Sequence, residues 1–315
     1  MIKLIEQQIQ PEKKDKWDAS DNSDHDGEDP EPELTADQRK MQEVLKEKAT
    51  MVVTSLVEKL SFKNKDIHMT LNACQALNDF CENEAFFQAL TQPEVINNIV
   101  NVVTCTDANV ENQPYALNFL TTLITQFTEQ DISFFKDRKD QALDNIMAHF
   151  SDLCYNCLLL LRGGNVNSTY RNQSGATVPK TGMLRIRAME QLRALINVLA
   201  RRGPLREQTA LNDILRKKII ETMLYMTRTF KFCSISHQQG LLILNQMREA
   251  FDEDDLETMK NFVQTELEAD MNFHFSSGRT TSRTNLGQIV KIAFELRTIT
   301  QRALDDMDSD EDEES

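Results

Sequence analysis

The chain has 315 residues, an apolar fraction of 40% and a net charge of −15. Nine glycines and seven prolines fall well below the usual shares of about 7% and 5%, which disfavours turn-rich sandwiches and barrels and favours helices on short connections. The charge is uneven. Residues 18–33 hold eight acids and no Lys or Arg, residues 305–315 hold another eight, and without those 16 the remaining 34 acids meet 35 bases, so a neutral body excludes the basic stripe of a dedicated nucleic-acid binder.

No run of 18 apolar residues occurs, so no membrane span is expected. The start Met1-Ile2-Lys3-Leu4-Ile5-Glu6-Gln7 turns polar too soon for a secretory signal. Six cysteines scattered through helical positions read as reduced thiols. Together these place the chain in the cytoplasm, with the nucleus also open.

In chain order, residues 1–34 form an acidic arm expected to be disordered, with Pro30 and Pro32 inside it. A helical-repeat domain follows over 35–304, interrupted by a loop at 163–181. An acidic tail over 305–315 is again expected to be disordered. Thr35 is placed to cap the first helix, with Asp37 and Gln38 behind it as in a capping box. That helix carries Met41, Val44 and Leu45 and continues through Met51 to Leu60.

The next helix, with Asp66 as its cap, presents Met69, Ala73, Ala76, Leu77 and Phe80 on one face. Pro93 and Pro114 stand where a first helical turn tolerates proline. Asp131 starts a long stretch ending at Leu161, and Gly163-Gly164 stops it. Residues 165–179, rich in Asn, Ser, Thr and Gly, form the one substantial internal loop. Helices are expected again over 182–202, 207–230, 236–250, 252–269 and 284–303.

The body is also self-similar. Ala73, Leu77 and Phe80 recur as Ala116, Leu120 and Leu123, each pair 43 residues apart. That lag lies in the roughly 40–47 residue range of HEAT and armadillo units. Ala188, Leu192, Leu195 and Gly240, Leu244, Met247 repeat the same spacing of a small residue followed by larger ones, which lets helix backbones approach closely. The expected fold is therefore all-α, an armadillo/HEAT-like α-solenoid. Such a stack offers long faces for gripping other proteins.

Few residues suggest chemistry. Cys154-Tyr155-Asn156-Cys157 is the one C-x-x-C, but no second pair completes a zinc site and no strand–helix setting suits a redox motif. Its thiols fall on one helix face with Leu158 and Leu161, which predicts core packing. His149 reads as a capping or packing residue, and His68, His237 and His274 have no partner set in the sequence that marks catalysis. Gly163-Gly164 ends a helix where a phosphate loop begins one. No catalytic residue, cofactor or metal is expected. Ser23, with Asp26 at +3, and Ser309, with Asp312 at +3, match the acidophilic-kinase pattern and are candidate phosphorylation sites.

Three segments carry a family likeness. The first is Gly182-Met183-Leu184-Arg185-Ile186 running into Ala188-Met189, Leu192 and Ala194-Leu195-Ile196. The second is His237-Gln238-Gln239 followed by Leu242-Ile243-Leu244, and the third is Thr284-Asn285-Leu286-Gly287-Gln288-Ile289-Val290-Lys291-Ile292-Ala293. Ala73-Cys74-Gln75-Ala76-Leu77 and Val95-Ile96-Asn97-Asn98-Ile99-Val100 precede them in matching order. With these the chain resembles the SAPS-domain family, the Sit4-associated regulatory subunits of protein phosphatase 6, as a divergent member over roughly residues 50 to 300. Gly240, Leu241, Gln288 and Phe294 depart from the family's Val, Glu, His and Asn.

The resemblance implies a non-enzymatic regulatory and scaffold subunit. Such a subunit binds a Ser/Thr protein phosphatase catalytic subunit and connects it to further scaffolds, including ankyrin-repeat proteins. Arg185, His237, Gln239 and Lys291, polar where the family motifs are also polar, are the candidate partner-binding residues. Inter-helix hydrogen bonding or solvation is the alternative role for each. The competing class is a structural helical-repeat adaptor in a cytoskeletal or ciliary assembly without phosphatase. A nuclear-transport adaptor is disfavoured because those grip peptides with tryptophan ladders, and the sole tryptophan here, Trp17, lies in the acidic arm.

Overall fold

Apolar residues at helical spacing dictate the architecture of the computed structural model, which describes residues 35–60, 67–80, 84–104, 113–129, 136–162, 169–171, 177–276 and 283–313. The acidic arm, Ser23, Trp17 and the Asp66 and Asp131 caps lie outside these residues. Apart from one short two-stranded hairpin, the described residues are helical.

The first helix, α1 (Ala36–Leu60), opens as the sequence predicts. Thr35 N–H donates to Gln38 Oε1 at 2.9 Å while Gln38 N–H donates to Thr35 Oγ1 at 3.3 Å, so two N-terminal donors are satisfied reciprocally. Then come α2 (Ile67–Phe80), α3 (Glu84–Leu90), α4 (Pro93–Thr104) and α5 (Gln113–Glu129). The stretch expected to start at Asp131 is two helices, α6 (Lys136–Met147) and α7 (Phe150–Arg162). A turn at Ala148–His149 separates them, and the His149 carbonyl accepts from Leu153 N–H at 3.0 Å to begin α7.

Within the expected loop, Thr169–Arg171 pairs antiparallel with Thr177–Pro179, and α8 (Lys180–Arg202) begins directly after. The predicted 207–230 helix starts later, as α9 (Asp213–Thr229). Asn212 accepts from Leu215 N–H and so sets the start, and a 3₁₀ turn occupies Leu205–Glu207. Ser234 caps α10 (Ile235–Met247), and a second 3₁₀ turn covers Arg248–Ala250. Asp252 caps α11 (Glu253–Asn261) in a capping box with Asp255. A π-helical segment, Phe262–Leu267, leads into α12 (Glu268–Ser276).

The last helix, α13, runs from Arg283 to Glu313. It passes the predicted end at Ala303 and carries helix through the acidic run expected to be disordered. No Gly or Pro interrupts it after Gly287, and Ala, Leu, Met and Glu tolerate helix well.

Packing sorts the helices into two files. In one, α2 lies on α5, α5 on α8, α8 on α10 and α10 on α13. In the other, α1 lies on α4, α4 on α7 and α7 on α9. Members of one file also pack on their counterparts in the other, α1 on α2, α4 on α5, α7 on α8 and α9 on α10, and α13 packs on α11. The short elements α3, α6 and the two 3₁₀ turns introduce successive pairs. Of the residues 43 apart, Ala73 and Leu77 on α2 and Ala116, Leu120 and Leu123 on α5 are all buried, and the two helices pack on each other.

Gly240 shows why a small residue recurs. A Cβ built on it meets Thr227 Cγ2 at 3.1 Å and the Met223 carbonyl oxygen at 3.5 Å, so α9 and α10 touch backbone to side chain. Phe87 and Phe127 meet edge to face with centroids 5.5 Å apart deep in the first half of the body.

Candidate partner interface

Three successive helices of one file, α8, α10 and α13, carry the three segments that define the family likeness, and polar rungs join them. Arg193 donates to Gln239 Oε1 at 3.4 Å and Gln246 donates to Asn197 Oδ1 at 3.3 Å. Gln238 donates to Gln288, and Asn245 donates to Glu295 Oε2 at 2.8 Å. Sequence separations of 46 and 49, then 50 and 50, ascend together, so neighbouring helices of this file run parallel. Amide and guanidinium groups on this face can hydrogen-bond a docked chain as readily as each other.

The four candidate contact residues fall in different settings. Lys291 is exposed and pairs with Glu295 at 3.7 Å. Gln239 is half-buried and belongs to the Arg193 rung. Arg185 and His237 each lie against an aromatic ring of the Phe230–Ser234 connection between α9 and α10. The Arg185 guanidinium lies 4.4 Å from the centroid of the Phe230 ring, and burial pulls its pKa down, against an opposing effect of Tyr225.

His237 is 2% exposed, with its ring 5.1 Å from that of Phe232, and its Nδ1 has no partner. Burial pushes its pKa down to about 4, so the imidazole is neutral near pH 7. It packs inside the body rather than presenting itself to a partner. In the same connection Cys233 adopts a left-handed φ of 64°, which aligns Ser234 to cap α10.

The rungs were not singled out by the sequence reading. The signal was present in the 50-residue interval that separates Gln238 from Gln288 and Asn245 from Glu295, hidden because amides carry no apolar periodicity. Tyr225 and Phe230, which flank Arg185, were read only as part of a helix.

Chemistry-bearing side chains elsewhere are built into the core. Cys154 and Cys157 are fully buried. Burial raises both thiols, Cys157 to about 12, so thiolate character is suppressed. His149 Nε2 lies 3.0 Å from Asn97 Oδ1, tying the turn before α7 to α4. Among the described residues no group of three His, Cys, Asp or Glu side chains could hold a metal ion, and no helix is long and apolar enough to cross a membrane. Ser309 falls within the helical extension of α13.

A separate ionic lock joins the other file to the next unit. Arg216 of α9, with a side chain 10% exposed, donates to Asp255 Oδ2 at 2.8 Å, to Asp213 at 2.6 Å and to Asp252. Arg228 makes a two-pronged pair with Glu266 at 2.6 and 2.7 Å. No protein-family model, curated protein or solved structure matches the chain.

Proposed function

We propose that the chain is a regulatory and scaffold subunit of SAPS-like type. In this reading the two files of helices form an armadillo/HEAT-like α-solenoid that holds a protein phosphatase 6-type Ser/Thr phosphatase catalytic subunit. The observation that carries the reading is the placement of the three motif segments. They lie far apart in sequence yet occupy α8, α10 and α13, consecutive members of one file joined by polar rungs. A face shared by collinear motifs is what a docking surface needs, and the repeat interval of about one helix pair accounts for both the motifs and the packing.

On this reading the protein positions an enzyme and performs no catalysis itself. Gln239, Lys291 and Arg185 are the contact groups on the face, and His237 supports it from beneath. Further scaffolds, including ankyrin-repeat proteins, occupy other surfaces. Co-purification from native extract tests the proposal. A phosphatase catalytic subunit recovered with the wild-type chain, and lost on changing Gln239 and Lys291 to Ala together, supports it. Recovery of no phosphatase catalytic subunit counts decisively against it.

A second reading, a structural adaptor in a cytoskeletal or ciliary assembly, is favoured by one observation. Large apolar side chains are exposed along the body, with Met51 67%, Leu159 62%, Ile214 65%, Phe273 63% and Phe294 70% exposed. Filament proteins in place of phosphatase in the same purification would establish that reading.

A further inference from the structure

Arg185 is the half-buried cation of this face with no acid to answer it. Its guanidinium is stacked on Phe230 at 4.4 Å, its Nε–H is buried without an acceptor, and among the described residues it makes no ion pair. Most of the other arginines of α8 are committed: Arg187 pairs with Glu190 at 2.7 Å, Arg201 donates to the Thr128 carbonyl and Arg202 pairs with Asp144. A buried donor without an acceptor is costly, and stacking fixes a guanidinium so that little side-chain entropy is lost when an acceptor arrives.

The surroundings suit an incoming group. Gly182, one turn before Arg185 on α8, leaves room beside the helix: a Cβ built on it meets nothing within 4 Å among the described residues. Tyr225, 48% exposed and close enough to interact with the Arg185 charge, adds a hydroxyl donor and an apolar ring. Arg and Tyr are among the residue types that anchor protein interfaces.

We propose that Arg185, Phe230 and Tyr225 form an anchor that captures a single Asp or Glu carboxylate from a docking protein, at the guanidinium stacked on Phe230. One guanidinium balances one carboxylate. A phosphate, at about −1.5 to −2, calls for a second cation, and Arg187 on the same helix is already paired. The proposal rests on reading this face as a docking surface, but not on the partner being a phosphatase.

The test therefore contains no phosphatase. The full chain, labelled at arginine Nε and at the tyrosine rings, is titrated by NMR at constant ionic strength with acetyl-Leu-Glu-Leu-amide. The glutamine and phosphoserine counterparts serve as comparisons. The expected result is a saturable shift of the Arg185 Nε–H and Tyr225 ring signals with the glutamate peptide and none with the glutamine peptide. Binding to Arg185→Lys, followed at Tyr225, is weakened about tenfold, because a lysine keeps the charge but neither stacks nor forks. Arg185→Gln abolishes it.

No saturable shift, an equal shift with glutamine, or undiminished binding to Arg185→Gln overturns the proposal. Tighter binding of the phosphoserine peptide overturns the choice of carboxylate. A signal that appears only after the eight acids within 18–33 are changed to their amides would place the occupant in this chain and overturn the assignment to a partner. Should Arg185→Gln fail to fold, Arg185→Lys with the glutamate and glutamine pair decides alone.

Discussion

Arg216 Nε donates to Asp255 Oδ2 at 2.8 Å across the junction between α9 and α11, with side chains only 10% and 7% exposed. Asp252, the cap of α11, and Asp213 share the same guanidinium. One buried cation thus ties a helix of one file to the start of the next unit. Burial by itself would raise the Asp252 carboxyl, but the Asp255 backbone N–H, Arg216 and Lys217 together hold it below the usual carboxylate range.

Removing that cation takes the partner from three carboxylates, of which Asp255 is buried. Arg216→Met is expected to lower the unfolding free energy by about 3–5 kcal/mol, the cost of breaking a buried pair from one side. Lys217 reaches Asp254 from the exposed side at 3.3 Å, and Lys217→Met should move the midpoint far less. Urea denaturation of both variants measures the difference. An Arg216→Met midpoint equal to that of the wild type would show that the cluster contributes nothing.

His237 supplies the pH dependence. Its pKa is about 4 in the folded chain against an ordinary 6.5, so folding excludes a proton that the unfolded chain binds. The stability contributed by the neutral ring is complete above pH 6.5. It falls as pH drops from 6.5 toward 4, by up to about 3 kcal/mol in all. His237→Leu removes this slope, since leucine does not titrate. Thermal melts of both proteins between pH 7 and 4.5 check it, and equal slopes would mean that His237 is hydrated in solution.

The helical class was legible because it depends on apolar periodicity. Ala73 to Leu77 and Ala116 to Leu123 sit where a 43-residue step puts them, and Thr35 caps as its spacing with Gln38 demands. Element boundaries were less legible. Nothing in the run from Glu207 to Asp213 announces that Asn212 rather than Glu207 starts α9, because that depends on where Leu205 and Leu211 bury themselves. The candidate face was half visible. Motif likeness picked Arg185 and His237 without distinguishing a surface anchor from a buried ring, since burial follows from the packing of Phe230 and Phe232, which polarity patterns do not encode.

Glycine offers a paired experiment. Gly240 is wedged against Thr227 and the Met223 carbonyl, whereas a Cβ on the exposed Gly287 of α13 meets nothing within 4 Å among the described residues. Gly240→Leu is expected to destabilise by about 1–3 kcal/mol or more through overpacking. Gly287→Ala should stabilise by up to about 1 kcal/mol through helix propensity. Chemical denaturation of the two variants reads opposite signs, and a Gly240→Leu protein as stable as the wild type would show that α9 and α10 are not in close approach.

The thiols give the last prediction. Burial raises Cys74 and Cys157 to about 12 and Cys154 upward as well, while Cys233 is half-buried and raised by the same cause. Only thiolate reacts with an alkylating reagent, and the reagent must also reach it. Among these four, Cys233 should be modified first under native conditions, with Cys154 and Cys157 labelled only as fast as the body opens. Peptide-resolved mass spectrometry after a timed iodoacetamide pulse follows each site. Cys154 and Cys157 reacting as quickly as Cys233 would mean that the C-x-x-C pair is accessible. A redox or metal role would then have to replace the packing one, and with it the view of α7 as a plain core helix between α4 and α9.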